Sequence, residues 1–193
     1  MKPSLLQQLK QETLPYHESL ERQLPLFRPD LSWGEYRTLL ESFYGFYAPW
    51  EQRAVPPLQR VWPGFFDGRR KTPLLERDLQ FLGSDPALLR TCLCLPGTDS
   101  LPALWGTLYV LEGATLGGQI LTRHLTQHFS LSPEAGCSFF ASYGAAVGDR
   151  WREFCHLLSS YSSPENDQAI VQAAIDTFSC FQAWLQQEVL LPC

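Results

Sequence analysis

The sequence predicts an all-α fold, and three observations carry that expectation. Apolar residues recur at three- and four-residue spacing, capping residues stand ahead of the apolar runs, and strand-like alternation is nearly absent. With 193 residues, the chain fits a single domain spanning 1–193, long enough to bury a core without disulfide staples.

Ser4, with Gln7 three residues later, has the spacing of a capping box and opens the first helix, in which Leu6, Leu9, Thr13, Leu20 and Leu24 recur at helical spacing. Pro15 removes a backbone donor, so a kink or a break is expected just before His17. Ser32 caps a second helix on the apolar positions Tyr36, Leu40, Phe43, Tyr47 and Trp50. The proline and glycine cluster from Pro56 to Gly68 reads as an irregular connection. A helical stretch follows from Pro73 to Leu82, then a short helix from about Asp85 that ends at the Pro96–Gly97 turn.

Ser100 ahead of Leu101 and Pro102 starts a long helix to about Phe129. Beyond a loop at Ser132–Gly136 come a Phe-rich segment and a helix around Trp151, Phe154, Leu158 and Tyr161. Ser163 and Pro164 begin the last helix, with Ile170, Ala174, Phe178, Phe181 and Leu185 as its apolar stripe.

Composition narrows the function classes. A net charge of −5 argues against a nucleic-acid partner, because phosphate binding needs concentrated Lys and Arg. The chain shows no apolar run of membrane-spanning length and no signal-peptide core, so no membrane partner and a cytoplasmic location are expected. The six cysteines, Cys92, Cys94, Cys137, Cys155, Cys180 and Cys193, lack paired metal-site spacing and read as buried apolar residues rather than disulfides.

Two local features carry chemistry. The run Glu112-Gly113-Ala114-Thr115-Leu116-Gly117-Gly118-Gln119 places three glycines inside a helix, each costing roughly 1 kcal/mol relative to alanine. Either a broad flat ligand approaches the backbone there, or another helix packs closely; Gly113 and Gly117, one turn apart, would share a face. His17 is the best metal-ligand candidate, with Glu21 one turn later to orient its second ring nitrogen; a surface or satisfied core histidine is the plainer alternative. His124 and His128, also four apart, have no third ligand and read as an exposed face near a helix end; His156 has no companion.

Four fragments in sequence order, spanning roughly residues 5–185, together resemble the haem oxygenase family. Leu9-Lys10-Gln11-Glu12-Thr13 followed by His17 and Glu21 is similar to its proximal helix. Tyr36 through Glu51 resembles the family's second helix, and Arg70-Lys71 with Leu75-Glu76-Arg77-Asp78-Leu79 a further family pattern. Tyr109 through Gln119 looks like the distal helix, most closely that of the bacterial, phytochrome-associated type.

The resemblance implies a helical bundle with haem sandwiched between a proximal and a distal helix. It implies cleavage of haem to biliverdin, carbon monoxide and ferrous iron, with haem as both substrate and prosthetic group. Electrons would come from an external ferredoxin or reductase, and a bacteriophytochrome is the candidate recipient of biliverdin. His17 would ligate the iron, Glu21 would orient it, and Lys10 would pair with a propionate. Arg150 and Arg152 are candidates for further propionate contacts, with Tyr143, Phe139 and Phe140 as pocket lining. Gly113, Gly117 and Gly118 would let the distal helix bend across the haem. Many family members place an aspartate at the position of Ala114, so here the polar role falls to backbone groups, Thr115 or a more distant residue. That departure also keeps a non-catalytic haem carrier or sensor as the alternative.

Overall fold

The computed structural model describes residues 3–189, all helix, turn and loop apart from two isolated bridges at the Ser132 turn. Cys193 lies outside the described residues.

Helix α1 (Leu5–Gln23) opens on the expected capping box: Gln7 N–H donates to Ser4 Oγ, and Ser4 N–H donates to Gln7 Oε1 at 2.9 Å. It runs through Pro15 without a break. The carbonyl that Pro15 leaves without its usual donor belongs to Gln11, an exposed residue that solvent can reach. Helix α2 (Trp33–Val61) begins with a second capping box, Ser32 with Glu35. It extends well past the expected end at Pro56, because Ala54 and Leu58 are fully buried and hold the last turns on the core. The carbonyls freed by Pro56 and Pro57 belong to exposed Gln52 and Arg53. Pro49 frees the carbonyl of Gly45, which instead accepts the N–H of Cys92 at 2.8 Å and ties the 89–99 stretch to α2.

Helix α3 (Thr72–Phe81) agrees with expectation, whereas the Asp85 helix shrinks to one 3₁₀ turn, Pro86–Leu88, capped by the Asp85 carboxylate. The expected long helix from Ser100 to Phe129 is three pieces: α4 (Leu101–Gly113), a 3₁₀ segment Ala114–Gly117, and α5 (Gly118–Phe129). A one-turn helix α6 (Ser138–Ala141) holds the Phe-rich segment, followed by α7 (Val147–Tyr161) and α8 (Asp167–Val189). The last helix starts three residues after Pro164, because the Ser163 carbonyl closes a turn with Asn166 and Asp167.

Helices α4 and α8 cross most closely. A Cβ on Gly106 would collide with the Ile170 carbonyl and Ala173, and the hydroxyls of Thr107 and Thr177 meet at 3.0 Å. Helix α1 lies on α8 and α7. Between α2 and α8, Phe43, Phe46, Tyr47 and Phe181 form the aromatic centre of the core, joined by Phe139 from α6. The indole N–H of Trp184 donates to the Ser42 carbonyl at 2.7 Å. None of the helices among the described residues is long and apolar enough to cross a membrane.

Candidate functional site

His17 sits in the second half of α1, its side chain half-exposed. Its ring stands edge-on to Phe178 of α8, with centroids 5.9 Å apart. Nδ1 lies 3.5 Å from Glu21 Oε2, a pairing that the one-turn spacing allows. Lys10 is exposed on the same helix. Leu14, three residues before His17 and therefore on its face, is 49% exposed.

The glycine segment behaves differently from the shared-face expectation. Each 3₁₀ residue advances about 120°, so Gly113 and Gly117 point different ways. A Cβ on Gly113 would rest in ordinary contact with the Trp151 ring, and one on Gly117 would meet nothing. A Cβ on Gly118 would overlap the main-chain carbonyl of Phe140. The three glycines thus divide into one close-packing position, Gly118, one open position, Gly117, and one intermediate. Leu116 and Ile120, flanking the open position, are 46% and 63% exposed. Thr115 is buried, and its hydroxyl is spent on the Glu112 carbonyl at 2.7 Å.

The two halves meet through α4. Thr13, buried on α1, lies against Tyr109 of α4, and Tyr109 packs on Trp151. His17 follows Thr13 by four residues and Gly113 follows Tyr109 by four. Each therefore lies about 6 Å along its own helix from that contact.

The remaining candidates fall elsewhere. Phe139 and Phe140 are buried in the aromatic core, as packing residues. Arg152 is exposed and pairs with Asp149 one turn earlier. Arg150 lies near Glu153 and over the Tyr143 ring. Tyr143 turns inward and donates its hydroxyl to Glu112 Oε1 at 2.8 Å. His128 is exposed, with Nε2 2.9 Å from the Leu31 carbonyl; its neighbour His124 is only partly exposed. Of the described cysteines, none in a disulfide, Cys92 and Cys137 are buried as expected, Cys155 and Cys180 are partly buried, and Cys94 is exposed; no three His, Cys, Asp or Glu side chains among the described residues form a metal cluster.

Sequence reasoning passed over a buried ionic cluster at the end of α4. Arg69 donates to Glu112 through Nη1 and to Glu153 Oε2 through Nη2 at 2.7 Å. Lys71 Nζ stands 3.8 Å from Glu112 Oε1, donates to the Arg69 carbonyl at 3.0 Å, and lies over the Tyr143 ring. Burial pushes the Lys71 ammonium down to about 8, against the opposing pull of Glu112 and Glu51. Burial raises the Tyr143 phenol, and the Glu112 charge raises it further. Nearby, Glu51 accepts the main-chain N–H groups of Lys71 and Thr72 at the start of α3. The signal was present: Glu112 is the one charge in Leu101–Gly113, a helix apolar on nearly every side, and a buried charge demands a partner.

Known proteins resemble this chain in sequence and in fold. The profile of the family described as "Heme oxygenase" matches residues 3–187. A heme oxygenase of Xanthomonas campestris pv. campestris is 33% identical over 92 residues, 47% of this chain and 52% of that protein, so the match spans about half the length of that relative. Among solved structures, the NO- and CO-bound heme oxygenase of Neisseria meningitidis superposes with a TM-score of 0.83 at 23% identity, covering 100% of this chain and 95% of that one. The heme oxygenase of Leptospira interrogans gives 0.78 at 22% identity, covering 96% of this chain and 100% of that one. Heme oxygenase-1 of the cyanobacterium Synechocystis, in complex with heme, gives 0.74 at 21%, covering 96% and 92%. These three share the fold, and the profile spanning nearly all of the sequence shows that the chain belongs to the haem oxygenase family.

Proposed function

We propose that this protein binds haem between α1 and the Gly113–Gly118 segment and cleaves it oxidatively to biliverdin, carbon monoxide and ferrous iron. The observation that carries the reading is His17: a half-exposed imidazole with Nδ1 facing a carboxylate, on a family member's first helix.

The residues present fit the group. Leu14 beside His17, and Leu116 and Ile120 beside Gly117, expose apolar surface that a flat macrocycle would cover. Gly117 leaves room for close backbone approach. When bound, haem would supply the iron at which dioxygen is reduced and the porphyrin edge that is cleaved. His17 would hold the iron, and Glu21, accepting from Nδ1–H, would fix the ring's tautomer and orientation. Lys10 and Arg152, both exposed and cationic, would meet the propionates, whereas Arg150 lies over the Tyr143 ring on another side of α7. Electrons come from an external ferredoxin or reductase, because the sequence carries no dinucleotide-binding fingerprint. A bacteriophytochrome is the proposed acceptor of the product.

An anaerobic haem titration, followed by air, a reductant and catalase, tests the reading. The expected result is a Soret band that decays into broad biliverdin absorption, with His17→Ala binding haem differently and failing to turn over. Stable haem binding without biliverdin would replace the enzyme by a haem carrier or sensor, the reading that Ala114 favours because its side chain has no polar atom.

A further inference from the structure

Behind the turn where α4 ends, charged and polar side chains from three stretches converge on one carboxylate. Glu112 receives Arg69 from the 3₁₀ turn Asp67–Arg69, Tyr143 from the loop after α6, and Lys71 from the start of α3. The side chains of Arg69, Lys71 and Glu112 are all but inaccessible, at most 4% exposed. Arg69 reaches on to Glu153 and to the Arg150 carbonyl of α7.

Stability alone does not account for such a cluster. Replacing buried ion pairs by apolar side chains is often neutral or stabilising, whereas removing one partner is costly. The location is informative: Glu112 directly precedes Gly113, and its own carbonyl accepts the Thr115 hydroxyl inside the 3₁₀ segment. Its carboxylate is thus tied to three neighbouring stretches while its main chain is tied to the bend. Ala114 contributes no polar side-chain atom there, and Thr115 is already committed.

We propose that Glu112 is the positioning residue of the Gly113–Gly118 bend, held by Arg69 and Tyr143, and that Lys71 makes the bend respond to pH. The inference rests on the haem reading only for what the bend positions. Lys71 is faced by Glu51 from α2, Arg69 from the preceding turn, Glu112 from α4, Tyr143, and Arg150 from α7. Glu112 and Glu51 favour its charged form; burial, Arg69 and Arg150 oppose it. Loss of the Lys71 proton removes one of the cations around Glu112 and leaves its carboxylate to Arg69 and Tyr143, so the bend loosens as pH rises.

Amide hydrogen exchange of the haem-free protein tests this, read on peptides covering residues 113–118 and corrected for intrinsic pH dependence. Glu112→Gln is expected to exchange at least about tenfold faster there, the factor that loss of a hydrogen bond to a charged group implies. In the wild type, protection should fall through pH 8, a step that Lys71→Met lacks. The haem-loaded protein should show a matching step in its Soret spectrum, also absent from Lys71→Met. Should Glu112→Gln fail to fold, Tyr143→Phe removes one hydrogen bond to the same carboxylate and keeps the ring under Lys71; the same local acceleration is expected. Unchanged exchange at 113–118 in the folded variant, or no step in the wild type, overturns the proposal. If the exchange results hold while no variant binds haem, the positioning role stands and the haem reading falls.

Discussion

Gly118 lies directly against the main-chain carbonyl of Phe140, with no room for a side chain between them. That contact seats the start of α5 on α6, and α6 is held from below by Asp78 of α3. One turn of helix thus links the glycine segment to the core. Gly117, the adjacent residue, faces open space.

Opposite outcomes are therefore expected at neighbouring glycines. Gly118→Ala forces backbone apart and should destabilise the fold by about 1–3 kcal/mol. Gly117→Ala should leave the haem-free protein as stable or more so, by up to about 1 kcal/mol, since alanine is the better helix former. On the haem reading the same Gly117→Ala intrudes on the ligand and weakens haem binding at least about tenfold, or 1.4 kcal/mol. Thermal melts of the haem-free proteins and haem titrations separate the two effects; a Gly118→Ala protein as stable as wild type would contradict the packing account.

His17→Ala should scarcely affect folding. The ring is half-exposed and makes one edge contact with Phe178, so a loss below about 1 kcal/mol is expected. Its effect should fall on the iron, as an altered Soret position partly restored by added imidazole. A large drop in melting temperature without a spectral change would make His17 a packing residue.

Much of this was legible in the sequence, and the exceptions have physical reasons. Ser4 with Gln7 and Ser32 with Glu35 announce their helices because capping is a local interaction between neighbours in sequence. Pro15 and Pro56 misled because a proline's cost depends on where the orphaned carbonyl points, and here those carbonyls belong to exposed Gln11 and Gln52. The glycine run was recognisable as special, but the contacts on either side of its 3₁₀ turn involve residues distant in sequence, Trp151 near Gly113 and Phe140 against Gly118. His17 and Glu21 were readable as an i, i+4 pair. The partners of Glu112 were not, since Arg69 and Tyr143 lie 43 and 31 residues away.

Asp78 should be among the most sensitive positions outside the site. Its carboxylate accepts the N–H groups of Ser138 and Phe139, each at 2.8 Å, and the Ser138 hydroxyl at 2.7 Å. Asp78→Ala leaves two buried main-chain donors without an acceptor, costing about 2–4 kcal/mol. Asp78→Asn keeps one acceptor oxygen and should cost less. Urea unfolding of both variants measures the difference; equal small losses would mean that α6 is held by its phenylalanines alone.

Lys71 fixes the sign of one pH effect. Burial holds its folded pKa near 8, below the 10.5 of the exposed side chain, so the unfolded chain binds the extra proton between those values. Stability then rises with pH across that window, because the cost of burying the ammonium, fully present below pH 8, is relieved as the folded group deprotonates. The full gain at this site amounts to about 3 kcal/mol, and other titrating groups overlie it. The Lys71→Met variant isolates the contribution: the stability difference between variant and wild type should be constant below about pH 7 and shift in favour of wild type from pH 8 to 10. This global gain coexists with looser exchange at residues 113–118, since one quantity concerns complete unfolding and the other a local opening next to Glu112. Denaturant titrations at each pH decide it, and a difference that stays flat to pH 10 would place the Lys71 ammonium in a far better solvated site than its 3% exposure indicates.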